Sequence, residues 1–193
     1  MEHNMDNLVH MKSKYQLLKY FKELGYKNGA EIGVSQGHLS EAMFKEIPGL
    51  HLFCVDSWLS YPGVRRWMPS NERANNYFEI AKKRLAPYNA TIIRKFSMDA
   101  AKDIPDGSLD FVYIDANHAF DYVMEDLIHW SRKVRKGGIV SGDDYFHFKG
   151  AGVVEAVDTY TKAHGITFQL TDPYPEQIQD RGTQEQPSFW WMV

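Results

Sequence analysis

Acidic side chains follow two predicted strands that we expect to be neighbours in one sheet. Asp115 ends a nearly continuous apolar run, 109–114, and Asp143 and Asp144 follow a shorter run, 139–141. Neighbouring strands lie about 4.8 Å apart, so acids at their carboxyl ends converge at one edge of the sheet. Three carboxylates this close cannot all stay ionised without a cation. Hard oxygen ligands suit Mg²⁺, Ca²⁺ or Mn²⁺ rather than zinc or copper, so we expect a divalent metal site, with Mg²⁺ as its ion.

A turn with two glycines follows the first predicted strand, 30–34. Gly33 and Gly37 allow the backbone to approach a ligand closely, just before a predicted helix begins. Glu31 precedes them, and a carboxylate at that place repels phosphate but attracts a cationic amine or sulfonium. The spacing is not G-x-G-x-x-G, so a pyrophosphate site is poorly supported. As an alternative, the two glycines serve only the tight packing of the strand against the helix.

An acidic residue closes the second predicted strand, 50–55. Asp56 lies 19 residues after Gly37 (56 − 37 = 19). In dinucleotide-binding folds an acid at this distance takes the hydroxyl groups of a ribose. With Glu31 and Asp56 added to the glycines, ligand binding is favoured over the packing alternative.

The elements that must position these residues alternate between strands and helices. Strands are predicted at 30–34, 50–55, 91–94, 109–114, 139–141, 166–170 and 189–193. Helices are predicted by apolar periodicity at 17–24, 39–47, 74–85, 123–134 and 153–160, the fourth ending at the glycines 137–138. This alternation predicts a doubly wound α/β fold with a mostly parallel seven-stranded sheet. Only a polar stretch, 171–187, joins the last two strands, so we expect the last strand to run antiparallel.

Composition favours a single globular domain, 1–193, with 1–28 as an N-terminal helical extension. The 193 residues are 44% hydrophobic and carry a net charge of −3, which gives no support for nucleic-acid binding. No apolar run approaches the roughly 20 residues of a membrane span, and no signal peptide is apparent. One cysteine, Cys54, suits a reducing compartment, so we expect a cytoplasmic protein.

The Glu31-Ile-Gly33-x-x-x-Gly37 turn, Asp56 and the antiparallel ending together resemble the class I S-adenosylmethionine-dependent methyltransferases. This resemblance covers most of the chain after residue 30. It implies S-adenosylmethionine as the cofactor, its methionine part beside Glu31 and the turn, its ribose at Asp56 and its adenine near 96–99. The cofactor-binding residues predicted in this way are Glu31, Gly33, Ser35, Gly37, Asp56, Ser97 and Met98.

The order Asp115-x-x-His118, followed by Gly-Gly-x-x-x-x-Asp143-Asp144, resembles a subgroup with macrocin-type sugar O-methyltransferases and cephalosporin-hydroxylase-like proteins. The resemblance implies that Asp115, Asp143 and Asp144 bind a divalent ion together with hydroxyl groups of the acceptor. It also implies His118 as the general base, an imidazole being able to accept a proton near neutral pH. The acceptor would be a hydroxylated small molecule such as a sugar or polyol. Alternatively, Asp143 and Asp144 cap a turn and His118 caps a helix.

Other functions remain open on the sequence alone. They are a metal-independent methyltransferase of the same fold, a nicotinamide-dependent oxidoreductase, and a cofactor-binding protein without turnover. The aromatic and arginine-rich stretch 57–69 either covers the active site or packs a loop onto the sheet. The aromatic residues 189–191 belong either to the core or to an interface between subunits, so a homo-oligomer is possible.

Overall fold

The computed structural model describes residues 11–59, 70–148, 150–171 and 186–193. Its strands are β1 (Asn28–Ile32), β2 (His51–Asp56), β3 (Ala90–Arg94), β4 (Leu109–Ile114), β5 (Val134–Gly142), β6 (Gln169–Leu170) and β7 (Phe189–Met192). Its helices are α1 (Lys14–Glu23), α2 (His38–Glu46), α3 (Asn71–Leu85), α4 (Ser97–Ala100), α5 (Phe120–Trp130) and α6 (Val153–His164).

The strands form one sheet in the order β3-β2-β1-β4-β5-β7-β6. All pairs from β3 to β5 are parallel. β7 is antiparallel to both of its neighbours, β5 and β6. The predicted fold, a mostly parallel seven-stranded sheet with an antiparallel last strand, is therefore confirmed. The strand order reverses between β1 and β4, and open α/β sheets bind ligands at the carboxyl ends of the strands beside such a reversal.

Helices cover both faces of the sheet. Side chains along β4 point alternately to the two faces, so each helical layer packs on apolar residues of this strand. Phe111 and Tyr113 belong to the core under α1, α2 and α3. Val112 and Ile114 belong to the core under α4, α5 and α6. This near-continuous burial is typical of a parallel sheet between two helical layers.

α1 lies within the segment that the sequence suggested as an N-terminal extension, and it is built into the core. Leu17, Leu18 and Phe21 of this helix are at most 1% exposed. The Phe21 ring stacks on Phe111 with 4.4 Å between centroids. Packing of this kind fixes α1 on the sheet and brings its first residue, Lys14, to the carboxyl edge of the strands.

The prediction of the fourth helix was wrong at its end. α5 stops at Trp130, and Val134 begins β5 instead of continuing the helix to the glycines 137–138. Val134 is buried in a strand. It lies four residues after Trp130, which is also the spacing of apolar residues on one face of a helix, and this led to the wrong prediction. Gly138 lies inside β5, where a Cβ atom would come 2.4 Å from the carbonyl oxygen of Asp110. Close backbone approach, rather than helix termination, therefore requires this glycine.

Three predicted strands also differ by two residues or more from those observed. β5 spans Val134–Gly142, where the sequence predicted only 139–141. β1 begins and ends two residues earlier than the predicted 30–34, and β6 contains only Gln169–Leu170 of the predicted 166–170. Most of the stretches 57–69 and 171–187 lies outside the described residues, as do 1–10 of the N-terminal segment. None of the helices in the described part of the chain combines the length and apolar character needed to cross a bilayer.

Candidate active site

The glycine turn between β1 and α2 forms one wall of a cleft at the carboxyl edge of the sheet. Gly33, Ser35 and Gly37 all have left-handed backbone conformations, with φ of 95°, 51° and 77°. At Gly33 a Cβ atom would lie 1.9 Å from the carbonyl oxygen of Asp115. The turn can thus pass directly over the end of β4 only because residue 33 has no side chain.

Asp56, at the end of β2, connects the glycine turn to the chain that follows β2. Its two carboxylate oxygens accept hydrogen bonds from the backbone N–H groups of Ser35 (2.9 Å) and Trp58 (2.7 Å). The Trp58 indole in turn donates to the Ser35 carbonyl at 2.8 Å. Burial is the largest influence on Asp56 and raises the pKa of its carboxyl group. The structure thus holds Asp56 in a fixed orientation at the cleft.

These residues line a cleft of about 250 Å³. Its walls contain the predicted cofactor residues Gly33, Ser35, Asp56 and Ser97, together with Asp115 from the predicted metal site. Trp58 and Tyr77 add aromatic surface. The glycine turn, the acid after β2 and the acid after β4 therefore face one space.

Glu31 lies beneath this cleft rather than in its lining. Its side chain is 2% exposed and accepts a hydrogen bond from the Ser40 hydroxyl of α2. Burial raises the pKa of Glu31 to about 8, so the carboxyl group is mostly protonated at neutral pH. The attraction for a cationic amine that the sequence suggested is therefore weak in this state.

Two carboxylates and one imidazole meet at the edge of the cleft. Among the described residues, Asp115, His118 and Asp144 place one potential ligand atom each within 4.8 Å of the others. His118 Nε2 lies 3.0 Å from Asp144 Oδ2 and 3.5 Å from Asp115 Oδ1. The backbone N–H of Asp115 donates to the Ile32 carbonyl at 2.7 Å, which extends the parallel ladder to this acid. Parallel pairing brings Asp115 and Asp144 to one edge, and His118 joins them in place of Asp143, the third acid that the strand positions predicted there.

The second acid of the pair after β5 turns toward this group because its backbone is left-handed. Asp144 has φ of 61°, a conformation that aspartate tolerates better than most residues. Asp143 points elsewhere: its carboxylate contacts Lys14 Nζ at 2.8 Å and Ser188 Oγ at 3.1 Å. The structure therefore separates Asp143 from the two acids with which the sequence grouped it.

The sequence of the chain also matches a known protein family. Residues 30–145 match the family model described as a methyltransferase domain. The match covers more than half of the chain. The chain belongs to this methyltransferase family. The predicted class, the class I S-adenosylmethionine-dependent methyltransferases, is thereby confirmed, and the nicotinamide-dependent alternative is set aside.

Solved structures share the fold of this methyltransferase at low sequence identity. The O-methyltransferase TomG from Streptomyces achromogenes, solved with S-adenosylmethionine, has a TM-score of 0.61 at 19% identity, over 93% of this chain and 79% of its own. An O-methyltransferase from Bacillus cereus, solved with S-adenosylhomocysteine, has 0.60 at 15% identity, over 98% and 82%. A precorrin-6y C5,15-methyltransferase from Geobacter metallireducens has 0.61 at 13% identity, over 97% and 90%. No curated protein has significant sequence similarity to the chain.

The carboxyl groups of Asp115 and Asp144 determine the protonation state of the His118 imidazole. Burial works against the charged imidazole, but hydrogen bonds from His118 to Asp115 and Asp144 outweigh it and raise the His118 pKa to about 10. Burial raises the Asp115 pKa to about 6, and the charges of Asp143 and Asp144 act in the same direction. Without a bound cation, the methyltransferase therefore holds a charged His118 between two acids at neutral pH.

Ser97 is held by two buried partners that the sequence analysis missed. Its hydroxyl donates to Asp126 and accepts from the Trp130 indole at 2.7 Å. Asp126 is 3% exposed, and burial raises its pKa to about 7. The sequence carried one signal for this role, since Asp126 directly precedes Leu127 on the apolar stripe of α5. A polar residue so placed must find a buried partner.

A smaller cleft of about 220 Å³ adjoins the first one at Ser97. Met98, Asn117 and Asp126 are among its lining residues. Asn117 is 4% exposed, and its Nδ2 atom has no hydrogen-bond partner within the described part of the chain. A buried amide donor of this kind favours a ligand with an acceptor atom in the cleft. No sequence pattern indicated Asn117.

The segment after β5 closes over His118. The Phe148 ring contacts the His118 ring edge-on, with 5.6 Å between centroids. The backbone N–H of Gly152 donates to the His118 carbonyl at 2.8 Å. Phe146 stacks on Phe148 at 4.7 Å. His118 therefore lies at the boundary between the acids and an apolar surface.

Proposed function

We propose that this methyltransferase transfers a methyl group to a hydroxyl oxygen of a small molecule, a sugar or polyol, with the help of a divalent metal ion. The observation that carries the proposal is the meeting of Asp115, His118 and Asp144 at the edge of the cofactor cleft. The chemistry supports an oxygen acceptor, since an aliphatic hydroxyl is a poor nucleophile unless it loses its proton. We propose that its functional relatives include the macrocin-type subgroup.

The donor set fits a divalent ion. Asp115 and Asp144 offer carboxylate oxygens, which suit Mg²⁺ or Mn²⁺, and His118 Nε2 lies 3.0 Å from the nearer acid. When bound, such an ion supplies Lewis acidity that lowers the pKa of a hydroxyl group on the acceptor. It would also neutralise the two acids that now hold the His118 proton, which lowers the His118 pKa toward the range of a general base.

Residues of the chain would bind the cofactor and accept the proton of the acceptor. The 33–37 turn and Asp56 would hold the methionine and ribose parts of S-adenosylmethionine, with the adenine near Ser97 and Met98. His118 would accept the proton of the acceptor hydroxyl. The new bond joins the acceptor oxygen to the methyl carbon, and the methyl–sulfur bond breaks with its electron pair left on sulfur. The products are a methyl ether and S-adenosylhomocysteine.

The test uses S-adenosylmethionine with a labelled methyl group and a panel of sugars, polyols and catechols. We expect transfer to a hydroxylated acceptor, loss of transfer with EDTA, and recovery with Mg²⁺. Asp144→Asn should reduce kcat at least about 100-fold, since one ligand and the partner of His118 are both changed. Asp106→Asn is the matched control, because Asp106 pairs with Lys133 on the exposed surface. Activity that survives EDTA would favour the metal-independent alternative.

His118→Ala separates the base from the metal ligands. If His118 accepts the proton, this variant loses activity but binds Mn²⁺ at least as tightly as the wild type, since no imidazole proton has to be displaced. The appearance of N- or C-methylated products with no O-methylated product would refute the proposed acceptor class.

A further inference from the structure

The first residue of α1 is paired with the acid that ends β5. Lys14 Nζ lies 2.8 Å from Asp143 Oδ2, and the two side chains are 20% and 6% exposed. A carboxylate this buried is stable only with a charged or hydrogen-bonding partner. The N-terminal helix therefore supplies the charge that compensates Asp143.

The other oxygen of Asp143 is also occupied. The Ser188 hydroxyl donates to Asp143 Oδ1 at 3.1 Å and lies 2.8 Å from the Tyr113 hydroxyl of β4. The Ser188 backbone is tied to Thr171 by hydrogen bonds in both directions, at 2.9 Å each. Ser188 is fully buried. Asp143 is thus the centre of a network that joins α1, β4 and the residues before β7.

Asp143 and Asp144 lie on different sides of the end of β5. The partners of Asp143 are Lys14 of α1 and Ser188. Ser188 in turn contacts Tyr113, which belongs to the core on the face that α1 covers. Asp144, with its left-handed backbone, reaches His118 instead. For Asp143 to join Asp115 and Asp144 around an ion, both of its present partners would have to be released.

We propose that Lys14 is a positioning residue that holds Asp143 away from the metal, so that Asp115 and Asp144 are the carboxylate ligands and Asp143 anchors α1. This inference rests on the metal site proposed above. It departs from the set of three acids that the family resemblance implied. With Asp143 neutralised by Lys14, two carboxylates remain to balance the two charges of a divalent ion.

The test measures Mn²⁺ binding by electron paramagnetic resonance, with and without S-adenosylhomocysteine, and needs no turnover. Asp144→Asn should weaken binding at least about ten-fold, whereas Asp143→Asn should stay within about two-fold of the wild type. Lys14→Met should strengthen binding about five-fold, because it leaves the negative charge of Asp143 uncompensated beside the site. Lys14→Arg should retain wild-type affinity. Lys22→Met is the matched control on α1, since Lys22 pairs with Glu46 at 3.0 Å on the surface.

The double variant Lys14→Met/Asp143→Asn covers the case in which a single variant fails to fold, because it leaves no buried charge unpaired. Its Mn²⁺ affinity should return to within about two-fold of the wild type. Equal losses in Asp143→Asn and Asp144→Asn, or an unchanged affinity in Lys14→Met, would overturn the inference while leaving the metal site intact. A wild-type protein that binds no Mn²⁺ would refute the proposed metal site and this inference together.

Discussion

His118 Nε2 lies 3.0 Å from Asp144 Oδ2, so the loop after β4 and the loop after β5 are joined by an ion pair across the edge of the sheet when His118 is protonated. Because the pKa of His118 is raised to about 10, this proton is held throughout the neutral range when no cation is bound. A cation at the two acids must compete with it. Binding of the proposed metal ion would therefore release this proton.

Metal affinity should consequently rise with pH. Between pH 6.5 and 8.5 we expect Mn²⁺ affinity to increase by up to about ten-fold per pH unit, since His118 loses its proton more easily as pH rises. Isothermal titration calorimetry in buffers of different ionisation enthalpy should show proton release on binding. His147→Ala is the control, because His147 is exposed and lies in the same segment. An affinity that is constant over this range would contradict the linkage.

Gly33→Ala should damage both stability and cofactor binding. The added methyl group would overlap the Asp115 carbonyl oxygen, and the left-handed backbone adds strain. We expect a loss of about 2–4 kcal/mol in the free energy of unfolding and at least ten-fold weaker S-adenosylhomocysteine binding. Gly107→Ala controls for the backbone strain alone, since φ is 68° there and nothing lies within 4 Å of the new atom. Calorimetric titration and urea unfolding measure the two effects, and equal effects in both variants would argue against the close approach.

Asp56→Asn should weaken S-adenosylhomocysteine binding about ten-fold or more, because the amide offers one acceptor where the carboxylate offers two. Asp110→Asn is a close match, since Asp110 accepts backbone N–H groups of Lys27 and Asn28 at the opposite end of the sheet. That control should lower the melting temperature and leave the affinity unchanged. If both variants lose affinity equally, the role of Asp56 is in folding alone.

Glu31→Gln should flatten the dependence of stability on pH. The folded protein raises the Glu31 pKa from 4.5 to about 8, so it holds a proton that the unfolded chain releases in this interval. Stability must then fall as pH rises from about 4.5 to 8, at up to about 1.4 kcal/mol per pH unit for this one group. The free energy of unfolding in urea at pH 5, 6, 7 and 8 should show the smaller slope in the variant. Glu79→Gln, on the exposed surface, should show the wild-type slope.

His118 was indicated only by the family resemblance. Periodicity and strand order were sufficient to predict the sheet and the edge at which Asp115 and Asp144 meet. They sufficed because parallel strands fix which residues share an edge. The separation of Asp143 was not predictable, since it depends on a left-handed Asp144 and on Lys14, 129 positions away in the chain. The end of α5 was mispredicted because Val134 is buried equally well from a strand.

The contacts of the polar groups buried under the cleft could not be predicted from the sequence either. Ser40 and Asn117 lie in a helix and a loop whose apolar patterns gave no sign of what they contact. Ser97 likewise meets Asp126 and Trp130 of α5, which are 29 and 33 positions away in the chain. Contacts of this kind follow from the packed fold and not from local spacing.

The position of Trp58 offers a way to follow ligand binding. Its indole is anchored to the Ser35 carbonyl, lies 4.9 Å from the Phe78 ring and forms part of the wall where the nucleoside would enter. We expect the emission of this fluorophore to respond to occupancy of the cleft. Ligand entry can be followed by ultraviolet excitation of the unlabelled enzyme, with Trp58→Phe identifying the responding chromophore among the five tryptophans.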